Sequence, residues 1–180
     1  RFHVASLTKT FTAAAVLLLA QEKELALTDT VARFLPDYPR GDEITVENLL
    51  LHRAGIPNYN ALPGFDERTA SHVGAREMVE FAQGYPLEFE PGSQHRYSNS
   101  GYTLFAYLVE VVSGRPFAEF LRERLLAPLG MESTGDAPAT ATAPERALGH
   151  DPGRAPTWLE PVPPRDFSFA VGSGSLESTA

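Results

Sequence analysis

The chain opens with residues 1–21, RFHVASLTKTFTAAAVLLLAQ, in which a short polar segment leads directly into a long apolar run. From Thr8 to about Glu22 the residues favour a helix and are apolar on nearly every face, which predicts a central, buried helix. Ser6 and Lys9 stand at its start, three residues apart, so a helix places their side chains on one face, one turn apart. This pair is either a nucleophile with its base or an ordinary polar helix start.

The Ser-x-x-Lys spacing has a chemical use. A partly buried ammonium beside a hydroxyl loses its stabilisation by water, so the amine can become neutral and accept the serine proton. Lys9 is one of two lysines beside thirteen arginines, and an arginine cannot lose its proton near neutral pH. The motif is short, however, and roughly one chain in eight of this composition would carry it by chance. On these residues alone, a helix-capping serine with a solvated lysine remains open.

The composition is that of one globular domain, and it excludes several classes of function. The chain has 180 residues, of which 43% are hydrophobic, and a net charge of -8, which argues against nucleic acid as a partner. It contains no cysteine, so disulfides, thiolate metal sites and cysteine nucleophiles are excluded. The five histidines lack the close spacing of helical metal ligands, and we expect neither a metal nor a cofactor.

Turn residues and apolar spacing predict several shorter helices. Thr45 is a predicted N-cap before an apolar run, and Gly55 with Pro57 ends that segment. Gly114 separates two helices that we expect to form a hairpin. The predicted helical segments are, in chain order, a turn or two capped by Thr28 or Asp29 and ending at Phe34, the segment after Thr45, residues 75–83, residues 102–113, and a segment with Pro116 in its first turn that continues through Leu125.

Three other segments lack helical spacing. Residues 58–73 are rich in turn residues and predict a surface loop. Residues 136–166 are rich in Ala, Pro and Arg, which predicts a long excursion with at most one or two short strands. The last eleven residues, AVGSGSLESTA, contain two glycines, and Ser178 or Thr179 is predicted to cap a new helix.

A second polar cluster, Tyr97-Ser98-Asn99, lies just before the predicted helix over residues 102–113. A phenol beside an ammonium can lower its pKa and relay a proton, and a carboxamide can both donate to and accept from an amide substrate. The commoner alternative is that Tyr97 packs on the core and Asn99 caps the helix. Both interpretations remain open from these three residues.

Four segments of the chain together resemble the β-lactamase-related serine hydrolases in their order and spacing. That group is similar to class C β-lactamases and includes D-alanyl-D-alanine carboxypeptidases, D-amino-acid peptidases and lactamase-like esterases. The resemblance covers almost the whole chain and is weakest across residues 58–74 and 136–166. The four segments are FHVASLTKTFTAAAVLLLAQEKELALTDTVARFLPDYP, ITVENLLLHRAGIPNY, FEPGSQHRYSNSGYTLFAYLVEVVSGRPFAEFLRERLLAPLGMESTG and AVGSGSLESTA.

The resemblance implies a fold and roles for the residues singled out above. It implies an α+β protein with the serine β-lactamase/DD-peptidase-like fold, here mostly its helical half with few sheet strands. It makes Ser6 the acylated nucleophile, Lys9 its activating neighbour, Tyr97 the proton relay and Asn99 a ligand of the substrate amide. His52, in the segment HRAG, is implied to be a buried, hydrogen-bonded structural residue and not a base.

The implied function is that of a serine hydrolase that acts through an acyl-enzyme on a small molecule or peptide with an amide, β-lactam or ester carbonyl. A Ser-His-Asp hydrolase fits less well, because the chain has no G-x-S-x-G segment. The second hypothesis is a non-catalytic, penicillin-binding-like module that binds cell-wall peptides or a protein partner. The presence of Ser6, Lys9, Tyr97 and Asn99 argues against that hypothesis.

Two features implied by the resemblance are missing from the chain. One is the third motif, Lys-Thr-Gly or His-x-Gly on the strand beside the site, and the other is the set of strands that precede FHVAS. We therefore expect residues 1–180 to be a single domain that is incomplete at both ends, with the Ser6 N–H as its one oxyanion donor. We also expect this segment to be inactive in isolation.

The cellular compartment is indicated by the resemblance alone. It suggests an exported protein of the periplasm or cell envelope, and a cytoplasmic location stays open. The longest apolar run, residues 13–20, is far shorter than the roughly twenty residues that span a bilayer, so we expect no transmembrane segment. No charged segment precedes this run as it would in a signal peptide.

Overall fold

Helices are the main regular structure in this computed structural model, which describes residues 1–136, 147, 149–152, 159–161 and 166–179. The α-helices are α1 (Thr8–Gln21), α2 (Val46–Leu50), α3 (Phe65–Arg68), α4 (Ala75–Gln83), α5 (Asn99–Ser113) and α6 (Phe117–Leu121). The strands are β1 (Phe2–His3), β2 (Gly135–Asp136), β3 (His150–Pro152), β4 (Leu159–Pro161) and β5 (Leu176–Ser178). Helices and short strands together give the predicted α+β composition.

Helix α1 lies against α5 and α6, but only one of its faces is buried. The buried side chains recur at the three-to-four spacing of one helix face and are Thr8, Lys9, Thr12, Ala15, Val16 and Leu19. Leu17, on another face, is 48% exposed. The predicted buried helix is therefore present, but not all of its apolar faces are buried, because an apolar composition does not show how many neighbours a helix has.

Helix α5 is buried along most of its length and packs against α1, α2, α4 and α6. It begins at Asn99, three residues before the predicted start, and ends as predicted before Gly114, which has φ +67°. Its N-cap is Ser98, whose Oγ accepts a hydrogen bond from the Gly101 N–H at 3.3 Å. The alternative in which Asn99 caps this helix is therefore wrong, and the Asn99 side chain makes other contacts.

The predictions for α2, α4 and α6 are confirmed in position, but α2 ends at Leu50, before the predicted stop at Gly55 and Pro57. Thr45 caps α2 as predicted, because its Oγ1 accepts from the Asn48 N–H at 3.1 Å and the Asn48 side chain accepts from the Thr45 N–H at 3.2 Å. Helix α4 has the predicted bounds. Pro116 precedes α6 instead of lying in its first turn, and α6 continues after Leu121 as a π-helical turn, Arg122–Leu126.

The predicted helix cap at Thr28 or Asp29 is wrong. The short 3-10 turn in this region, Val31–Arg33, follows Thr30, whose side chain makes no capping hydrogen bond. Asp29 instead accepts from the Ala26 N–H at 2.6 Å and from the Arg33 guanidinium at 2.5 Å. Its carboxylate therefore closes the preceding turn and pairs with a neighbouring charge.

The segments predicted to be irregular contain short regular elements. A 3-10 turn, Tyr59–Ala61, and helix α3 both lie within the predicted loop over residues 58–73. Most of the predicted excursion over residues 136–166 lies outside the described residues. Two of its described segments, β3 and β4, pair antiparallel, in agreement with the one or two short strands predicted there.

A three-stranded antiparallel sheet joins the beginning of the chain to residues 176–178. Strand β5 lies between β1 and β2, with Phe2 opposite Ser178 and Gly135 opposite Glu177. The prediction that Ser178 caps a new helix is therefore wrong, and Thr179 directly follows the strand. The residues around Ser178 could not indicate a strand, because both partners of β5 come from distant parts of the chain.

A tight turn at residues 171–174 leads into β5 and packs against α5. Gly172 has φ +73°, and a Cβ at this position would lie 2.6 Å from both the Tyr102 carbonyl oxygen and the Ala106 Cβ. The Gly172 carbonyl accepts from Thr12 Oγ1 on α1 at 2.7 Å. Glycine is therefore required here both for the left-handed backbone and for the close approach to α5.

We predict that Gly172→Ala lowers the free energy of unfolding by about 3 kcal/mol, since a left-handed alanine costs about 1–2 kcal/mol and overpacking adds about 1–3 kcal/mol. Gly114→Ala is the matched control. Its φ is also positive, but no atom lies within 4 Å of the added Cβ, so we expect only the backbone cost of about 1 kcal/mol. Urea denaturation measures both losses, and equal values would contradict the close packing of this turn.

Candidate active site

Ser6 lies on a short 3-10 turn, Ala5–Leu7, that leads into α1. The preceding Ala5 has φ +46°, which is uncommon for a residue with a side chain, and such strain often occurs at functional sites. Ser6 is exposed, and its Oγ lies 2.7 Å from the Tyr97 Oη and 3.4 Å from the Lys9 Nζ. The hydroxyl is therefore open to solvent and in contact with two groups that can take its proton.

Lys9 is the buried polar centre of the site and is only 7% exposed. Besides its contact with Ser6, its Nζ donates to the Asn99 Oδ1 at 2.7 Å and to the Ser173 backbone carbonyl at 2.5 Å. No carboxylate in the described part of the chain forms a hydrogen bond with it. Lys9 thus joins α1 to the start of α5 and to the turn before β5 through neutral oxygen atoms.

Burial lowers the pKa of Lys9, and the nearby Tyr97 hydroxyl opposes that shift. A neutral amine has two N–H groups and one lone pair. The two N–H groups match the carbonyl oxygens of Asn99 and Ser173, which can only accept. The lone pair is then left for Ser6, so a neutral Lys9 can accept the hydroxyl proton.

Tyr97 is positioned by the start of α5, one residue before the N-cap. Its side chain is 43% exposed, so the alternative in which it packs in the core is wrong. The Lys9 Nζ lies 4.8 Å from the centroid of its ring, and the His52 ring packs on it with centroids 4.7 Å apart. The phenol oxygen is the nearest proton acceptor to Ser6 among the contacts described here, which suits a relay.

The Asn99 side chain connects the lysine to the loop before α3. Its Oδ1 accepts from Lys9, and its Nδ2 donates to the Asn60 Oδ1 at 2.6 Å. Its backbone N–H donates to the Asn58 Oδ1 at 3.1 Å. These contacts orient the carboxamide with its oxygen toward the amine and its NH₂ toward the loop.

Buried hydroxyl groups fix the Ser173 backbone next to Lys9. Ser173 is 2% exposed, and its Oγ lies 2.7 Å from the Tyr59 Oη and donates to the Ala170 carbonyl at 3.0 Å. A buried hydroxyl without a partner costs about 1–3 kcal/mol. This network therefore stabilises the position of the carbonyl that Lys9 contacts.

Three parts of the site were not predicted from the sequence, namely Asn58, Asn60 and the Ser173 carbonyl. The two asparagines lie in a segment that was predicted to be a surface loop. The presence of two asparagines in a turn-rich segment indicates local hydrogen bonds, but it does not indicate a contact with Asn99, about forty positions away. The Ser173 carbonyl could not be found from its residue type, since every residue carries a backbone carbonyl.

His52 lies beside the site and is not placed as a base. Its Nδ1 accepts a hydrogen bond from the Ser98 N–H at 3.2 Å. Burial, together with the positive charges of Lys9 and His95, lowers the pKa of His52 to about 4. The structure agrees with the predicted hydrogen-bonded histidine, although the residue is half-buried and not fully enclosed.

The described residues contain neither a metal-binding cluster nor a membrane-spanning helix. Within the described ranges, no three His, Cys, Asp or Glu side chains lie close enough together to hold a metal ion. None of the helices described is both long and apolar enough to cross a bilayer.

The structure brings Ser6, Lys9, Tyr97 and Asn99 together in one hydrogen-bonded cluster, although the last two lie about ninety residues after the first two. The cluster combines an exposed hydroxyl, a buried amine, a phenol and a carboxamide. This combination can attack a carbonyl carbon, move the hydroxyl proton and hold an amide.

The sequence matches a known protein family. The family model described as Beta-lactamase matches residues 1–180. Penicillin-binding protein 4* from Bacillus subtilis (strain 168) is 36% identical to this chain over 137 residues, which are 74% of this chain and 30% of that protein.

Solved structures share the fold. The D-amino acid amidase from Ochrobactrum anthropi SV3, in complex with L-phenylalanine amide, matches with a TM-score of 0.86 and 30% identity over 99% of this chain and 51% of that chain. The D-stereospecific amidohydrolase from Streptomyces sp. matches with a TM-score of 0.84 and 29% identity over 97% of this chain and 56% of that chain. The predicted fold is confirmed, and the chain spans about a third to a half of the length of these relatives.

Proposed function

Because this chain belongs to the beta-lactamase family, we propose that it carries the acylation site of a serine hydrolase. Ser6 attacks the carbonyl carbon of an amide, β-lactam or ester, and the acyl-enzyme that forms is then hydrolysed. The observation that best supports this proposal is the contact of an exposed Ser6 hydroxyl with both Tyr97 and the buried Lys9. A nucleophile in contact with its base is the arrangement that such chemistry requires.

Acylation forms one bond and breaks another. The Ser6 Oγ bonds to the carbonyl carbon while its proton leaves to a base, and the carbonyl π electrons move to the carbonyl oxygen. When the carbonyl re-forms, the bond to the leaving nitrogen or oxygen breaks, and the leaving group takes up the proton. Water then repeats the attack on the acyl-enzyme, which releases a carboxylic acid and restores the Ser6 hydroxyl.

Tyr97 and Lys9 share the proton transfer. Tyr97 relays the proton, since its Oη lies within a short hydrogen bond of the Ser6 Oγ. Lys9 activates the pair, because burial lowers the pKa of its amine and the amine stands next to both oxygen atoms. The same groups return the proton to the leaving group, as microscopic reversibility requires.

Asn99 is the proposed ligand of the substrate amide. Its Oδ1 is held by the buried Lys9, whereas its Nδ2 faces Asn60, which is exposed. A substrate carbonyl can replace Asn60 as the acceptor for this NH₂ group without disturbing the bond to Lys9. The substrate is thereby held beside Ser6 while the amine keeps its acceptors.

The names of the relatives support a choice of substrate. A D-amino acid amidase and a D-stereospecific amidohydrolase share this fold at about 30% identity, and one relative is a penicillin-binding protein. We therefore propose small amides or peptides with a D-configured residue on the acyl side as substrates, and penicillins as acylating analogues. We also propose a location in the periplasm or cell envelope, as the family resemblance implies.

A non-catalytic module that binds cell-wall peptides or a protein partner is the second candidate. It is less well supported, because binding alone gives no reason to place a buried amine beside an exposed serine. Covalent chemistry at Ser6 separates the two candidates.

We predict that Ser6→Ala abolishes acylation of the protein that contains these residues, while Ser98→Ala keeps turnover within about tenfold. Ser98 is a matched control, because its buried Oγ caps α5 and lies outside the Ser6–Lys9 contact. Its loss should cost about 1 kcal/mol of stability, visible as a lower melting temperature. Mass spectrometry of peptides after quenched reaction with a penicillin or a p-nitrophenyl ester locates the adduct.

Two results would count against this assignment. Comparable losses of turnover in the two variants would mean that Ser6 is the wrong serine. The absence of any adduct on the wild-type protein would favour the binding module.

We predict that Lys9→Arg is nearly as damaging as Lys9→Ala, with acylation at least about 100-fold slower in both. A guanidinium keeps the positive charge but cannot take a proton, so the comparison separates basicity from charge. Stopped-flow measurement of the acylation rate with a chromogenic ester tests this. Substantial activity in the Arg variant would restrict Lys9 to an electrostatic role.

A further inference from the structure

His52 forms hydrogen bonds with the two residues that flank Tyr97 in the sequence, Arg96 and Ser98. The His52 carbonyl accepts from the Arg96 N–H at 2.9 Å, and its Nδ1 accepts from the Ser98 N–H at 3.2 Å. Tyr97 is the residue between these two donors. The His52 ring also packs on the Tyr97 ring, with centroids 4.7 Å apart and planes inclined by 35°. One histidine therefore holds both the backbone and the ring of the tyrosine.

Few other contacts hold the Tyr97 side chain in place. Because it is 43% exposed, packing in the core does not fix its direction. Within the described ranges, its other hydrogen-bond and cation–π partners are Ser6 and Lys9. These are the reacting groups themselves, whereas His52 contacts Tyr97 without taking part in the proposed reaction.

His52 is itself firmly held. Its backbone has φ +54°, a left-handed conformation that is uncommon for residues with a side chain, although histidine adopts it more readily than most. Its ring lies between those of Tyr97 and Tyr102, with the second centroid 4.9 Å away. Tyr102 in turn donates from its Oη to the Leu50 carbonyl at 3.2 Å, which ties this stack to α2.

We propose that His52 is a positioning residue that holds the Tyr97 hydroxyl at hydrogen-bond distance from Ser6. The inference rests on the proposed function, in which Tyr97 relays the Ser6 proton. A misdirected tyrosine leaves the nucleophile and the substrate ligand Asn99 in place but slows the proton transfer. His52 therefore acts on the rate of acylation and not on substrate binding.

The bond from Ser98 requires a neutral His52 ring with its proton on Nε2, since a protonated Nδ1 cannot accept. The titratable groups that face the ring are Lys9 from α1, Tyr97 and Tyr102 from the start of α5, and His95 at 6.1 Å. Burial and the charges of Lys9 and His95 lower the pKa of His52 to about 4. The accepting form is therefore present throughout the neutral range.

Two variants separate the two contacts of the imidazole. His52→Asn keeps an acceptor for the Ser98 N–H and tolerates the positive φ, but it removes the ring. His52→Phe keeps a ring against Tyr97 but removes the acceptor. His95→Asn is the matched control, because His95 is exposed and meets His52 edge-on at 6.1 Å.

We expect the single-turnover rate constant for acylation by a p-nitrophenyl ester to fall at least about tenfold in both His52 variants, since a displacement of about 1 Å can cost about 100-fold. The dissociation constant of the ester should change by less than about threefold, and His95→Asn should match the wild type. Acylation rates within about twofold of wild type in both variants would overturn the proposal. Parallel losses of binding and rate would also overturn it, because they indicate a merely structural role.

A double-mutant cycle tests whether His52 acts through Tyr97. In a Tyr97→Phe background the hydroxyl to be positioned is gone, so His52→Asn should lower the residual rate by less than about twofold. The full single-mutant loss in this background would show that His52 acts by another route.

Nitrogen-15 NMR of the wild-type protein gives a result that does not depend on activity or on the folding of variants. The His52 Nδ1 should have the chemical shift of an unprotonated acceptor at neutral pH, and a protonated Nδ1 would overturn the proposal. If Ser6 is not acylated at all in the wild-type protein that contains these residues, the proposed function fails. The failure of the positioning role alone would instead leave acylation of Ser6 intact.

Discussion

Burial of the Lys9 amine among neutral oxygen atoms is the constraint on which the rest of the site depends. With 7% of the residue exposed and no carboxylate bonded to it in the described part of the chain, the charged form loses its hydration without an ion-pair partner. The nitrogen therefore needs acceptors, and it finds them in Asn99 and the Ser173 carbonyl. These two bonds bring three distant segments of the chain to one point.

The buried face of α1 is polar at this end because it binds a turn instead of packing on apolar side chains. Thr8 accepts from the Leu176 N–H at 3.1 Å, Lys9 donates to the Ser173 carbonyl, and Thr12 donates to the Gly172 carbonyl. Hydrogen bonds are directional, so these three fix the orientation of the turn and of the start of β5 more closely than apolar contact would. The same turn requires glycine at position 172, because α5 lies too close for a side chain.

Features set by residues close together in the sequence could be predicted, whereas those set by distant contacts could not. The Ser6–Lys9 pair and the bounds of α4 follow from spacing within a few residues, and both could be predicted. The placement of Tyr97 and Asn99 beside that pair required a family resemblance, since no local rule connects positions about ninety residues apart. Strand β5 was missed because its partners are distant, and the Ser173 contact was missed because it is made by the backbone.

The geometry of Asn99 separates substrate binding from activation of the base. Its oxygen and its NH₂ group have different partners, since the oxygen faces the buried amine and the NH₂ faces an exposed asparagine. If a substrate oxygen displaced Asn60 and also competed for the Lys9 proton, binding would raise the pKa of the amine and weaken it as a base. An acceptor that takes only the NH₂ group leaves the two N–H bonds of Lys9 unchanged. In the proposed reaction the lysine lone pair therefore stays directed to the Ser6 hydroxyl while the substrate is bound.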